Sequence, residues 1–189
     1  MTEPERFSLR DLREKPFELL REMERRSVEA LADSRKAGVR SEEWVGIGCL
    51  LAEEQFLMAR NEVREVMMMP ASLTRVPGAK DWVAGLANLR GQILTVIDLR
   101  TFLGAGSSKG LRNARVLVVD SPESPVGIIV DEVFGFRRFN SSEFAEAIPE
   151  TKLRCERYLA GAFTKARETW PVFSLAKLIE AREFQKAAA

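Results

Sequence analysis

Few residues in this chain are placed to do chemistry. Histidine is absent from all 189 positions, which removes the commonest general base, the commonest metal ligand and the usual switch near neutral pH. The two cysteines, Cys49 and Cys155, lie far apart and neither has a CxxC neighbour. They read as buried free thiols rather than a disulfide or a zinc site. Ser72, Ser107, Ser108, Ser141 and Ser142 stand in loop-like stretches with no histidine to activate them. Carboxylates are plentiful, but nothing marks an acid/base pair among them. Gly104-Ala105-Gly106 followed by Lys109 and Gly110 loosely evokes a phosphate loop, yet it lacks GK[ST] and a strand-to-helix setting. GAGSSKG therefore reads as a flexible linker. No catalytic set, metal or cofactor is expected, and the chain is read as one that works by binding.

Three stretches could serve binding. Met67-Met68-Met69 is the kind of cluster found on adaptable surfaces, although alternate members of a strand face opposite sides. Phe134, Phe136, Arg137, Arg138 and Phe139 interleave rings with guanidinium groups, as single-strand nucleic-acid binders do. That makes a small-barrel nucleic-acid-binding protein the alternative reading. It is disfavoured by a net charge of only +1, since such binders carry a basic footprint. The third stretch, WVAGLANLRGQILTVIDLRTFLG at Trp82–Gly104, has apolar residues on alternate positions about an Arg90-Gly91 corner.

The elements that must position these residues follow from periodicity. Charged residues fill about half of positions 1–43 but about a quarter of the remainder, so 1–43 reads as an appendage and 44–189 as the globular domain. Within the appendage Phe17, Leu20, Met23, Ser27, Val28 and Leu31 recur at helical spacing. Pro16 suits the first turn and Gly38 the stop, which makes Pro16–Ala37 an amphipathic helix. From Trp44 the pattern becomes short strands: 44–52, 55–59, 63–69, 85–90, 92–99, 114–119, 126–130, 133–139, 158–165 and 169–174. A helical turn is expected at 101–104, an irregular polar region at 140–156 and a helix from Leu175 to about Lys186. The pattern predicts an all-β barrel or sandwich with helical additions, here two small barrels.

The bulk numbers agree. Apolar residues make up 46%, enough for a real core. The N-terminus has no apolar leader, and no run approaches the length of a membrane span. A reducing cytoplasm, without direct membrane insertion, is the expected compartment.

Several motifs together resemble the CheW-like coupling proteins, which link chemoreceptors to a histidine kinase. GLANLRGQILTVIDLR at 85–100 is similar to that family's strand pair. FLMARNEVREV at 56–66, LTRVPGA at 73–79, VGIIVDEV at 126–133 and YLAGAF at 158–163 follow in the same order. The N-terminal extension followed by WVGIG resembles the PilI-type adaptor branch, which serves twitching motility by type IV pili. Trp170-Pro171-Val172-Phe173-Ser174 departs from the family, which has a more aliphatic strand ending in DL.

The resemblance implies two five-stranded SH3-like barrels packed together and no enzymatic activity. It implies two partners: the helical hairpin tip of a chemoreceptor's cytoplasmic region, and the regulatory domain of a CheA-like histidine kinase. The protein would be recruited to membrane-associated receptor arrays. Carried over by position, Val63, Gly85 and Arg90 match residues tied to receptor coupling, and Glu65 matches the carboxylate that pairs with Arg90. A receptor groove lined by Val63, Met67 and Ile128 is expected to accept apolar anchors of the hairpin. Gly85 is expected to let a partner's backbone approach closely, so that Gly85→Asp would fold yet lose the receptor. Arg90 is expected either to touch the receptor or only to hold the strands.

Overall fold

The computed structural model describes residues 43–121, 124–165 and 167–187. The expected helix at Pro16–Ala37 lies outside the described residues. The domain begins with β1 (Glu43–Leu51) and β2 (Glu54–Ala59), an antiparallel pair with Cys49 opposite Phe56. Their turn is Ala52-Glu53, one residue earlier than the sequence pattern implies. Both residues have positive φ, 47° and 72°, the conformation that matches strand twist in a two-residue hairpin.

A 3-10 turn at Arg60–Glu62 then carries the chain into a second sheet. There follow β3 (Glu65–Met68), β4 (Val83–Leu89) and β5 (Gln92–Asp98), the helical turn α1 (Leu99–Phe102), β6 (Arg115–Val119) and β7 (Val126–Val130). The chain returns to the first sheet with β8 (Glu132–Asn140), the two-residue β9 (Phe144–Ala145), β10 (Leu159–Lys165) and β11 (Glu168–Phe173). It ends in α2 (Leu175–Glu180) and α3 (Arg182–Gln185). The first sheet has the order β8-β1-β2-β11-β10-β9 and the second β3-β6-β7-β5-β4.

Each sheet curls round its own apolar interior, and a third core joins them. Leu57, Phe139, Phe163 and Trp170 fill the first barrel, where Phe139 stacks on Phe163 at 4.8 Å. Leu94, Val96, Val116, Val118 and Ile129 fill the second. Ile47, Phe56, Ile97, Leu117, Ile128 and Phe173 lie between the barrels. This explains why β6 (RVLVV) and β7 (VGIIV) are almost continuously apolar: alternate residues face a barrel interior and the inter-barrel core, so both faces are dry.

A buried polar network ties the joint. The Asp98 carboxylate accepts hydrogen bonds from the Thr101 and Ser108 backbone N–H and from both the Ser107 and Ser108 hydroxyls. Asp131 accepts from Arg100 at 3.0 Å and from the Ala52 N–H at 2.8 Å. GAGSSKG is thus not a free linker. Ser108 is buried, and Arg100 also donates to the Ala105 carbonyl. The DLR signature anchors its own downstream loop, and through Asp131 it grips the β1–β2 turn of the other barrel. Asp131→Ala strands a half-buried guanidinium and a backbone N–H, so it is expected to cost roughly 3 kcal/mol in urea unfolding.

The C-terminal helix is broken rather than continuous. Ala181 is extended (φ −66°, ψ 130°). On an unbroken helix Phe184 would point about 180° away from Leu175, at roughly 100° per residue. The break turns Phe184 inward to stack on Trp82 at 5.7 Å.

Both cysteines are free and buried. Burial pushes the Cys49 thiol from 9.0 up to about 12. Burial, and then its hydrogen bond to Glu183, pushes the Tyr158 phenol from 10.0 to about 12. Each group holds its proton more tightly folded than unfolded. The stability it contributes is therefore whole below its ordinary value and is lost as pH rises towards 12. Urea unfolding free energies measured from about pH 8 to about pH 11 are expected to fall, and Cys49→Ala to flatten that fall.

Candidate functional site

A groove of about 860 Å³ lies between the outer face of the second barrel and the C-terminal helices. Its apolar floor is the half-buried Val126 over the buried Val63, Ile97 and Val119, faced by Trp82, Ile179 and Phe184. Thr95, Val126 and Val119 are direct cross-strand neighbours on β5, β7 and β6, which makes one side of the groove a flat sheet surface. The opposite side is held by Glu62. Its carboxylate accepts from the Ser174 hydroxyl at 2.9 Å and from the Leu175 N–H at 2.8 Å, capping α2 from the other end of the chain. Arg60, Arg64, Asp120 and Glu180 give the groove a charged rim, and Arg64 pairs with Asp120 at 3.1 Å. An apolar floor with a polar rim is what a helical segment with apolar anchors requires.

The structure assigns the expected groove residues to three different places. Val63 lines the groove. Met67 does not: Glu65 and Met67 lie opposite Val118 and Val116, so Met67 packs against the interior core of the second barrel. Ile128 does not either. It shares a strand face with Val126 but lies two residues deeper, where the first barrel covers it completely. Of the methionine run, Met68 is 73% exposed while Met67 and Met69 are packed.

Gly85 has φ +145°, and a Cβ there would stand 2.7 Å from the Thr74 carbonyl oxygen. The backbone that approaches closely is the chain's own, not a partner's. Thr74 and Leu86 exchange two backbone hydrogen bonds at this point, at 2.9 and 2.8 Å. The same arrangement recurs in the other barrel. Gly161, in a second Ala-Gly step, also has φ +145°, and a Cβ there would collide with the Ala145 carbonyl oxygen. Each glycine sits at a register shift of its hairpin, which marks a bulge that bends the strand round its barrel.

Arg90 donates to the Glu65 carboxylate at 2.8 Å. It occupies a two-residue turn with Gly91, at φ 50° and 87°. Its side chain is 81% exposed and that of Glu65 23%; such a pair contributes little stability, about 0–1 kcal/mol. Neither residue lines the groove.

The aromatic–arginine run of β8 does not form a stacking platform. Phe139 is buried in the first barrel, Phe134 packs against the same core, and Arg60 lies over the exposed Phe136 ring at 5.8 Å. Among the described residues no group of acidic, cysteine or histidine side chains is placed to hold a metal ion. No helix among them is long and apolar enough to cross a membrane. Sequence reasoning missed Trp82, Val119, Val126, Ile179 and Phe184 as groove residues, because each carries only the ordinary signature of a core position.

Two small packed barrels carry an apolar groove between the second barrel and the C-terminal helices. The CheW-like domain family matches residues 46–183, and the chain belongs to that family. It is 35% identical over 173 residues to the protein PilI of Pseudomonas aeruginosa, covering 92% of this chain and 96% of that one. Similarity extends to the chemotaxis protein CheW of Helicobacter pylori, 28% identical over 132 residues, with 70% and 78% of the two chains covered. The crystal structure of the scaffolding protein TtCheW from Thermoanaerobacter tengcongensis superposes with a TM-score of 0.64 at 25% identity, covering 74% of this chain and 94% of that one. The chain is a CheW-like scaffold adaptor.

Proposed function

We propose that this protein is a non-enzymatic adaptor that couples a methyl-accepting chemoreceptor to a CheA-like histidine kinase, in the signalling system that controls type IV pilus twitching motility. In this reading residues 1–43 are a helical extension ahead of the CheW-like domain at 44–189. The groove carries the proposal. It is apolar along the β5–β7–β6 surface and charged at its rim, and it takes the helical hairpin tip of the receptor's cytoplasmic region. The similarity to PilI over 92% of the chain supports the pilus assignment over a flagellar one.

Arg90 is offered to a partner rather than used as a brace, since most of its surface meets solvent while Glu65 fixes its direction. The adaptor acts in the cytoplasm, recruited to membrane-associated receptor arrays, and biases kinase output by holding partners in register. Capture assays with the immobilised protein test this directly. It should retain both the receptor's hairpin tip and the kinase's regulatory domain, and retention of neither would sink the assignment.

A further inference from the structure

Away from the groove, the segment from Pro149 to Tyr158 runs between two surface pockets of opposite charge. On one side lies a pocket of about 510 Å³ with Lys80, Arg154, Arg157 and Lys186 at its edge and Glu183 as its single carboxylate. Trp82, Phe102 and Tyr158 form its apolar side. Arg157 pairs with Glu183, and the hydrogen bond from Tyr158 holds the Glu183 carboxyl below the usual range. Lys80, Arg154 and Lys186 remain without a carboxylate partner among the described residues. On the other side a pocket of about 570 Å³ has Glu53, Glu54, Glu150 and Glu168 on its wall and no cation, with Trp170 and Pro171 beside them. Glu54 accepts from the Lys152 and Leu153 N–H groups and so fixes the segment between the pockets.

Net charge +1 over the chain makes this separation a matter of placement, not composition. Each pocket concentrates like charge, which is self-repulsive until an opposite surface covers it. The complementary surface is carried by the chain itself. Both pockets flank one short segment, so a two-fold axis beside residues 151–153 would let each basic pocket meet the acidic pocket of a second copy. Both pairings then close at once, as an isologous interface requires. We propose that a second copy of this chain docks here, with Arg154 of one copy entering between Glu150 and Glu168 of the other.

Sedimentation velocity on the full chain alone tests this, independently of any receptor or kinase. Reversible self-association is expected, weakened at least about tenfold between about 0.05 M and about 0.5 M salt, because the interface is electrostatic. Arg154→Glu and Glu150→Arg each oppose like charges and should weaken it at least about tenfold. Both side chains are exposed and unbonded, so circular dichroism should be unchanged. The double variant Arg154→Glu/Glu150→Arg restores complementarity and should return association to within about threefold of the original. A chain monomeric at every concentration, a dimer indifferent to either single reversal, or a double variant no better than the singles overturns the proposal. So does a monomer that uses Arg154 only to capture some other acidic partner.

Discussion

Gly85→Asp is expected to destroy the folded domain rather than to spare the fold and remove a partner. Gly85 is held at φ +145°, where a side chain adds about 1–3 kcal/mol of backbone strain. A Cβ would also lie 2.7 Å from the Thr74 carbonyl oxygen and 3.1 Å from the Leu73 Cβ. The first of these is backbone, locked by two hydrogen bonds to Leu86, so it cannot swing aside. Aspartate then adds a carboxylate at a buried position of β4.

The sum is at least about 4 kcal/mol, comparable with the whole stability of an ordinary domain. Gly85→Ala, without the charge, should cost about 3 kcal/mol. Urea unfolding of both variants, followed by circular dichroism, measures this. An Asp variant within about 1 kcal/mol of the original would show that Thr74 does not close on Gly85 in solution. Loss of receptor coupling in a Gly85 variant therefore reports on the barrel, not on the groove.

The groove is tested at Val126. Val126→Lys should leave the domain within about 1.5 kcal/mol of its original stability, because Val126 is only half-buried at the groove wall. A lysine stem can lie along that wall and put its ammonium in water. Binding of the receptor hairpin should fall at least about a hundredfold, because an apolar anchor would meet a charge it cannot satisfy. Binding of the kinase regulatory domain should be unchanged. Anisotropy titrations with each partner read both numbers. An unaltered receptor affinity would remove the groove from the proposal.

Every strand among the described residues except the two-residue β9, which falls in the stretch read as irregular, was legible in the sequence to within two residues, because the cue is local. Alternation with period two shows in any short window, and it placed β5, β7 and β10 without reference to the rest of the chain. The motif order from FLMARNEVREV to YLAGAF carried the two-barrel architecture, and the same resemblance brought Glu65 to Arg90.

Tertiary structure decided the rest. Val126 and Ile128 are alike in type and share a strand face, yet one lines the groove and the other is sealed. How far along β7 the first barrel reaches is set by strands about eighty residues upstream. Trp82 and Phe184 meet only because α2 breaks at Ala181. GAGSSKG reads as a linker until Asp98 is seen to hold its serines. Gly85 looks like an opening for a partner until Thr74 is seen to fill it. Periodicity reports which face a side chain takes; which distant segment covers that face depends on chain closure, and no local pattern encodes it.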